Sequence, residues 1–177
     1  FYSTLIDMNI DFQSIDVYFS KNINALADAH YLPYRDKYFD QVIIQAVLEH
    51  VISPSKVVSE IYRVLSIGGI VYSEVPFLQS VHEGPYDFFR FTHSGHRWLF
   101  RDFRELSSGA HQGAFSSLLF ISSYAISGLC RNRYVGIFIR IIFSRLCSLL
   151  DNLVGEKWNI DIACGSFFLG QKTEKPL

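Results

Sequence analysis

The sequence predicts an α/β domain with an open, mostly parallel sheet and flanking helices, and three observations carry that expectation. Residues 40–45 (DQVIIQ) and 70–75 (IVYSEV) are short runs dense in β-branched apolar residues, as buried strands are. Between them, Val57, Val58, Ile61, Val64 and Leu65 recur at helical spacing. Strand, helix, strand in that order is a parallel crossover, right-handed by the general rule for such units. Upstream, short apolar stretches end on carboxylates at Asp7 and Asp28. Ligands of open α/β sheets bind beyond the carboxyl ends of the strands. That rule gathers Asp7, Asp28, residues 45–50 and residues 76–90 on one edge.

Taken in order, residues 3–7 (STLID) read as a buried strand. A second short strand is expected within 15–19 or near 24–27. Leu32-Pro33 turns the chain, and Arg35-Asp36-Lys37 is a solvated loop. Ser53-Pro54 suits a helix start, with Ser as N-cap and Pro at the first helical position. Lys56 and Glu60, four apart, can pair for only about 0.2–0.5 kcal/mol. Gly68-Gly69 is expected to cap the helix C-terminus, and Pro76 to end the following strand. Thr92 or Ser94 can cap a short helix carrying Trp98 and Leu99. A strand is expected at 103–107 and a late strand at 163–170 (ACGSFFLG). Residues 114–129 and 134–150 form two apolar helical segments. Neither reads as a membrane span, the first being short and Gly-containing and the second interrupted by Arg140 and Arg145.

Composition narrows the function classes. With 177 residues, 49% of them hydrophobic and 16% aromatic, the chain can bury a core of its own. A net charge of -1 gives no general pull toward nucleic acid. Three widely spaced cysteines, Cys130, Cys147 and Cys164, make neither a disulfide framework nor a zinc spacing, and read as buried reduced thiols of a cytoplasmic protein. Charge is unevenly spread: Arg131, Arg133, Arg140 and Arg145 fall in a stretch, 106–150, that holds no Asp or Glu. That pattern is a solvated face or an amphipathic surface for anionic lipid, hence a peripheral membrane contact. The opening residues FYSTLID contain no leader, and the first residue reads as the middle of a longer chain.

At LPYRDKYFDQVIIQAVLEHV and EIYRVLSIGGIVYSEVPF the chain resembles the class I S-adenosylmethionine-dependent methyltransferases, and within them the methyltransferase type 11-like subgroup. The resemblance covers about residues 3–105, and 163–172 is similar to that fold's last strand. It implies a Rossmann-like sheet in one domain over 1–177, with 114–157 a helical insertion before the last strand. It implies S-adenosylmethionine as cofactor. Asp7 then corresponds to the carboxylate that accepts hydrogen bonds from the ribose hydroxyls. Asp28 would receive the adenine amino group, with the backbone of Ala29 against the ring. Gln45 and Ala46 would line the methionine end, beside Glu49 and His50. One departure is large: the family's Gly-rich loop between its first strand and first helix is missing, and so is the first strand. The chain is then either a fragment of a longer protein, the favoured reading, or one that has lost cofactor binding.

The segment HEGPYDFFRFT resembles a stretch that faces the acceptor in this subgroup, which places Tyr86, Asp87 and Arg90 on the substrate side. His82 or His50 is the candidate base for an attacking hydroxyl. The competing structural reading is an Asp87–Arg90 ion pair holding the loop, with His82 merely exposed. His82, His93, His96, His111 and Asp87 invite a metal reading, but no cysteine joins the set, and no metal is expected.

The resemblance thus implies methyl transfer to a small-molecule or glycan-like acceptor. The alternative is a non-catalytic methyltransferase-like module that binds a partner or a membrane surface through residues 114–150.

Overall fold

The computed structural model describes residues 11–21, 23–82 and 84–174. Its main sheet contains β3 (Phe39–Gln45), β4 (Leu65–Pro76), β5 (Arg104–His111) and β6 (Gly165–Gln171) in the spatial order β3-β4-β6-β5. β3 pairs parallel with β4, and β6 pairs antiparallel with both β4 and β5. Three of the four strands therefore share one direction and β6 alone runs against them. The sheet is mostly parallel in strand direction, as expected. β1 (Ile15–Asp16) and β2 (Ala25–Leu26) form a separate two-stranded parallel pair. The two places considered for one short strand both become strand, each pairing with the other. The expected strand at 3–7, with Asp7, lies outside the described residues.

Helix α1 (Pro54–Val64) crosses from β3 to β4. Val57 and Val64 are fully buried along its apolar stripe, and Ile61 nearly so. A fully buried Val or Ile contributes about 1.5–3 kcal/mol over the exposed state, so this stripe fixes the helix on the sheet. Short α2 (His93–Leu99) completes the same face, and its N-cap Thr92 accepts the Gly95 N–H at 3.1 Å. The core between sheet and helices joins Ile44, Val71, Val75 and Phe168 to Val57, Ile61, Phe100 and Phe103.

The two ends of α1 differ from the sequence expectation. Ser53 occupies the N-cap position, but its side chain makes no capping bond. The Lys56–Glu60 pair gives way to a stronger arrangement. Glu60 accepts from the Arg63 Nε at 2.9 Å and Nη2 at 2.8 Å, and from the Leu32 N–H at 3.0 Å. A guanidinium fork matches a carboxylate better than a point charge does. At the other end the helix stops at Leu65, ahead of Gly68-Gly69. The cap comes from the far end of the chain: the buried Lys172 ammonium donates to the carbonyls of Tyr62 at 2.6 Å and Leu65 at 2.7 Å. A cation there satisfies orphan carbonyls and suits the helix dipole. The glycines instead carry an irregularity within β4, where pairing jumps from Phe39↔Leu65 to Gln41↔Ile70. Gly68 takes φ +82 there, a left-handed conformation that other residues rarely adopt.

After β5 the chain builds a hairpin of α3 (Ala114–Leu129) and α4 (Arg133–Asp151), then a short α5 (Glu156–Asp161). The buried carboxylate of Asp151 holds its base. It accepts the N–H groups of Gly113 at 3.0 Å and Phe115 at 2.7 Å, and the Ser116 hydroxyl at 2.6 Å. Of the three cysteines, all free, Cys164 is buried but Cys130 is exposed at the tip of this hairpin, which corrects the expectation of buried thiols.

Candidate functional site

The candidate site is the junction of two loops at the carboxyl ends of β3 and β4. The first loop starts at Gln45 and Ala46. Ala46 has φ 49, left-handed and unusual for a residue with a Cβ. It is held there because its N–H donates to the Glu74 carbonyl at 3.1 Å. The Gln45 Nε2 donates to the Glu74 Oε2 at 2.7 Å, so the two strand ends are tied by side chain as well as by ladder. Tyr72 donates its hydroxyl to the other Glu74 oxygen, and burial, helped by this bond, pushes the phenol up.

The second loop folds back over the first. The Glu49 carbonyl accepts the N–H groups of Phe88 at 2.8 Å and Phe89 at 3.2 Å. His50 Nδ1 lies 2.8 Å from the Tyr86 carbonyl oxygen, which only accepts, so Nδ1 carries the proton and Nε2 faces away with its lone pair. That Nε2 is 3.1 Å from the Nε2 of His82. Below the two rings sits the fully buried Glu49 side chain, 3.7 Å from His50 Nε2 and 3.9 Å from His82 Nε2. Burial pushes the Glu49 carboxyl up from the usual carboxylate range.

Asp87 and Arg90 make the ion pair. Arg90 Nη2 donates to Asp87 Oδ2 at 2.7 Å and Nη1 to Oδ1, while the His82 N–H adds a bond to Oδ2 at 3.0 Å. The guanidinium holds the Asp87 carboxyl at about 2. Arg90 also donates to the Ser80 and Gln79 carbonyls. These two residues therefore shape the loop, and they do so directly behind His82.

Asp28 and Ala29 follow β2, and His30 beside them reaches the loop after β3. One Asp28 oxygen accepts the His30 N–H at 2.8 Å and faces His30 Nδ1 at 2.6 Å. His30 Nε2 in turn accepts the Ser53 N–H at 3.2 Å. The His30 bonds lower the Asp28 carboxyl, whose side chain stays 56% exposed and open to a ligand. Asp7 lies outside the described residues.

The histidines weighed together as metal ligands do not meet. His93 Nε2 pairs with the Ser108 hydroxyl at 2.9 Å. His96 is fully buried between Ser73 at 2.9 Å and Ser166 at 3.0 Å, and burial pulls it down to about 3, so it is a neutral core residue. His111 lies 3.6 Å from Glu74. Among the described residues His82 meets His50 and Glu49 instead. Sequence reasoning placed Glu49 only beside the site and passed over Glu74. The adjacent Glu49-His50 pair, one loop away from another histidine, was the signal available for the first.

A sequence model described as a methyltransferase domain matches residues 3–73. Over that stretch the chain is similar to methyltransferase domains. The match ends within β4, so it takes in Gln45, Ala46, Glu49 and His50, while residues 82–90 fall beyond it. Comparison with curated proteins finds no match. Among solved structures, the Haemonchus contortus phosphoethanolamine N-methyltransferase 2 bound to S-adenosyl-L-methionine is similar at a TM-score of 0.53 and 17% identity, over 97% of this chain and 46% of that one. The same enzyme with phosphomonomethylethanolamine and S-adenosylhomocysteine gives 0.51 and 17%, over 84% and 37%. The [4+2]-cyclase SpnF gives 0.51 and 15%, over 97% and 60%. This chain spans less than two thirds of each of them. A methyltransferase-like fold is thus shared with a protein named for a different reaction, and the chemistry must be argued from the site.

Proposed function

We propose that this protein is an S-adenosylmethionine-dependent methyltransferase acting on a small-molecule or glycan-like acceptor. The observation that carries the reading is the closure of the β3 and β4 loops over one edge, with the left-handed Ala46 on one side and His50, His82 and Tyr86 on the other. The residues present suit the cofactor. The exposed carboxylate of Asp28 and the backbone of Ala29 suit its adenine end, Gln45 and Ala46 its methionine end, and Asp7 its ribose. When bound, the cofactor supplies an electrophilic sulfonium methyl. The protein's own part is alignment of an incoming nucleophile with that methyl, which by itself removes much of the barrier.

On the acceptor side, Tyr86 and the Asp87–Arg90 pair shape the loop, and His82 is the more exposed of the two histidines. His82, or His50 behind it, is placed to take the acceptor's proton through Nε2. The test is calorimetric titration of the full-length protein with S-adenosylmethionine. Stoichiometric binding, weakened at least tenfold by Asp7→Ala and by Asp28→Ala, is the expected result. No binding, or an unchanged affinity in Asp7→Ala, overturns the assignment.

A second reading rests on the α3–α4 hairpin, which presents large apolar side chains such as Leu129 (85% exposed) and Ile141 (70% exposed). Among the described residues no helix is long and apolar enough to cross a membrane. A non-catalytic module seated on an anionic membrane surface through residues 114–150 fits that display.

A further inference from the structure

Glu49, His50 and His82 pose an electrostatic problem that their neighbours do not solve. The Glu49 side chain is fully buried, yet neither carboxylate oxygen has a hydrogen-bond partner among the described residues. Its own amide leans toward it without reaching hydrogen-bond geometry. An unpaired buried acceptor costs about 1–3 kcal/mol, and more when charged. The two histidines add to the imbalance. His50 Nδ1 is committed to the Tyr86 carbonyl, an acceptor at 2.8 Å. His82 Nδ1 faces only acceptors, the Ser80 carbonyl at 3.4 Å and Asp87 Oδ2 at 3.6 Å. Each Nδ1 therefore carries the proton in the neutral ring, and each Nε2 presents a lone pair. Two lone pairs 3.1 Å apart and a carboxylate oxygen 3.7 and 3.9 Å from them therefore meet in one place.

We propose that Glu49, His50 and His82 form a binding site for a divalent transition-metal ion of the zinc class. Metal–ligand bonds of about 2.0–2.2 Å place neighbouring ligand atoms about 3.0–3.5 Å apart. The observed separations of 3.1, 3.7 and 3.9 Å need only a small contraction to reach that span. Two imidazoles and one carboxylate form the donor set that such ions select, and calcium and magnesium prefer oxygen alone. The outer partners are also in place. Tyr86 orients His50, and Asp87, clamped by Arg90, stands behind His82 in a carboxylate–histidine–metal arrangement. The His82 side chain is 39% exposed, which supplies an entry path that the buried Glu49 does not.

Three protein ligands leave at least one position open. Resting on the methyltransferase reading, that position takes the oxygen of a hydroxyl acceptor. A metal held there would lower the pKa of the bound hydroxyl, whose proton would leave to solvent. The alkoxide oxygen then forms its bond to the sulfonium methyl while the carbon–sulfur bond breaks, and that electron pair stays on sulfur. Both Nε2 atoms are ligated in this state, so acidification of the acceptor passes from the histidines to the ion.

The test uses the full chain, stripped with a chelator and titrated with cobalt(II) and, separately, with zinc(II). One equivalent of cobalt(II) is expected to produce visible absorption bands, displaced by zinc(II). His82→Ala, on an exposed loop, is expected to weaken zinc(II) at least tenfold, as is Glu49→Gln where circular dichroism shows it folded. His111→Ala, an exposed histidine outside the cluster, should leave affinity unchanged. Absence of one-equivalent uptake, or uptake indifferent to His82→Ala, overturns the site. Because these titrations contain no S-adenosylmethionine, failure of the metal site and failure of cofactor binding are read separately.

Discussion

Lys172 and His96 show what single polar residues do when the fold buries them. Lys172 sits in a polar tail by sequence, yet its ammonium is the C-terminal cap of α1 and lies 4.7 Å over the Tyr62 ring. Lys172→Met keeps the stem and removes the donor, leaving two helix-end carbonyls unpaired. A loss of about 1–3 kcal/mol is expected in urea unfolding. His96 behaves in the opposite sense, being buried as a neutral ring with its pKa lowered from 6.5 to about 3. Between those values the unfolded chain binds a proton that the native state refuses. Stability therefore rises with pH through this window and is lost on acidification below about pH 6, at roughly 1.4 kcal/mol per pH unit. His96→Gln removes that titration. Its urea midpoint should fall less than the wild-type midpoint between pH 6 and pH 4, and identical pH slopes would refute the assignment.

At the scale of elements, α1 and the hairpin are held by contacts of different legibility. The α1 stripe, the β3 and β4 runs and the late strand could be read from the sequence because apolar periodicity reports burial directly. The stops could not. Gly68-Gly69 resembles a helix cap, but the cap is set by Lys172 more than a hundred residues away, and local pattern carries no information about such a partner. The site shows the same division. Residues 45–50 and 76–90 were placed on one edge by the strand rule, whereas the meeting of His50 with His82 depends on how the second loop folds back through Phe88 and Phe89. The Asp151 latch belongs to this class too: its carboxylate serves the first turn of α3 from the last residue of α4. Asp151→Ala leaves the Gly113 and Phe115 N–H groups without their acceptor, at a cost of about 1–3 kcal/mol. The prediction is specific to the base of the hairpin. Amide exchange at residues 113–117 should accelerate by at least tenfold, while the amides of β4 stay protected.

For the whole molecule, the placement of large and small residues in the hairpin is the feature that ordinary core formation does not account for. Its buried seam is small or polar: Ser117, Ser123 and Gly136 are covered, and Gly136 donates its N–H to the Ser127 hydroxyl at 2.9 Å. Leu118, Tyr124, Phe138 and Leu149 face outward instead. Small residues inside and large apolar residues outside is the pattern of helices that pack within lipid. Neither helix is long and apolar enough to cross a membrane; the proposed second reading seats the hairpin at the interface. The cations suit such a seat: Arg131, Arg133 and Arg145 are exposed, and Arg140 is half-buried over the Phe120 ring at 4.9 Å. Each basic residue near an anionic surface contributes about 1 kcal/mol, screened by salt. The protein should therefore sediment with phosphatidylserine-containing vesicles and far less with phosphatidylcholine alone. Raising salt from 50 to 500 mM, or changing all four arginines to Gln, should each reduce that binding at least tenfold, whereas Leu129→Ser with Phe138→Ser should weaken it at every salt concentration. Equal binding to both vesicle types, unmoved by the arginine changes, would assign the exposed face to a protein partner instead, because an apolar protein surface needs no anionic lipid to recognise this hairpin.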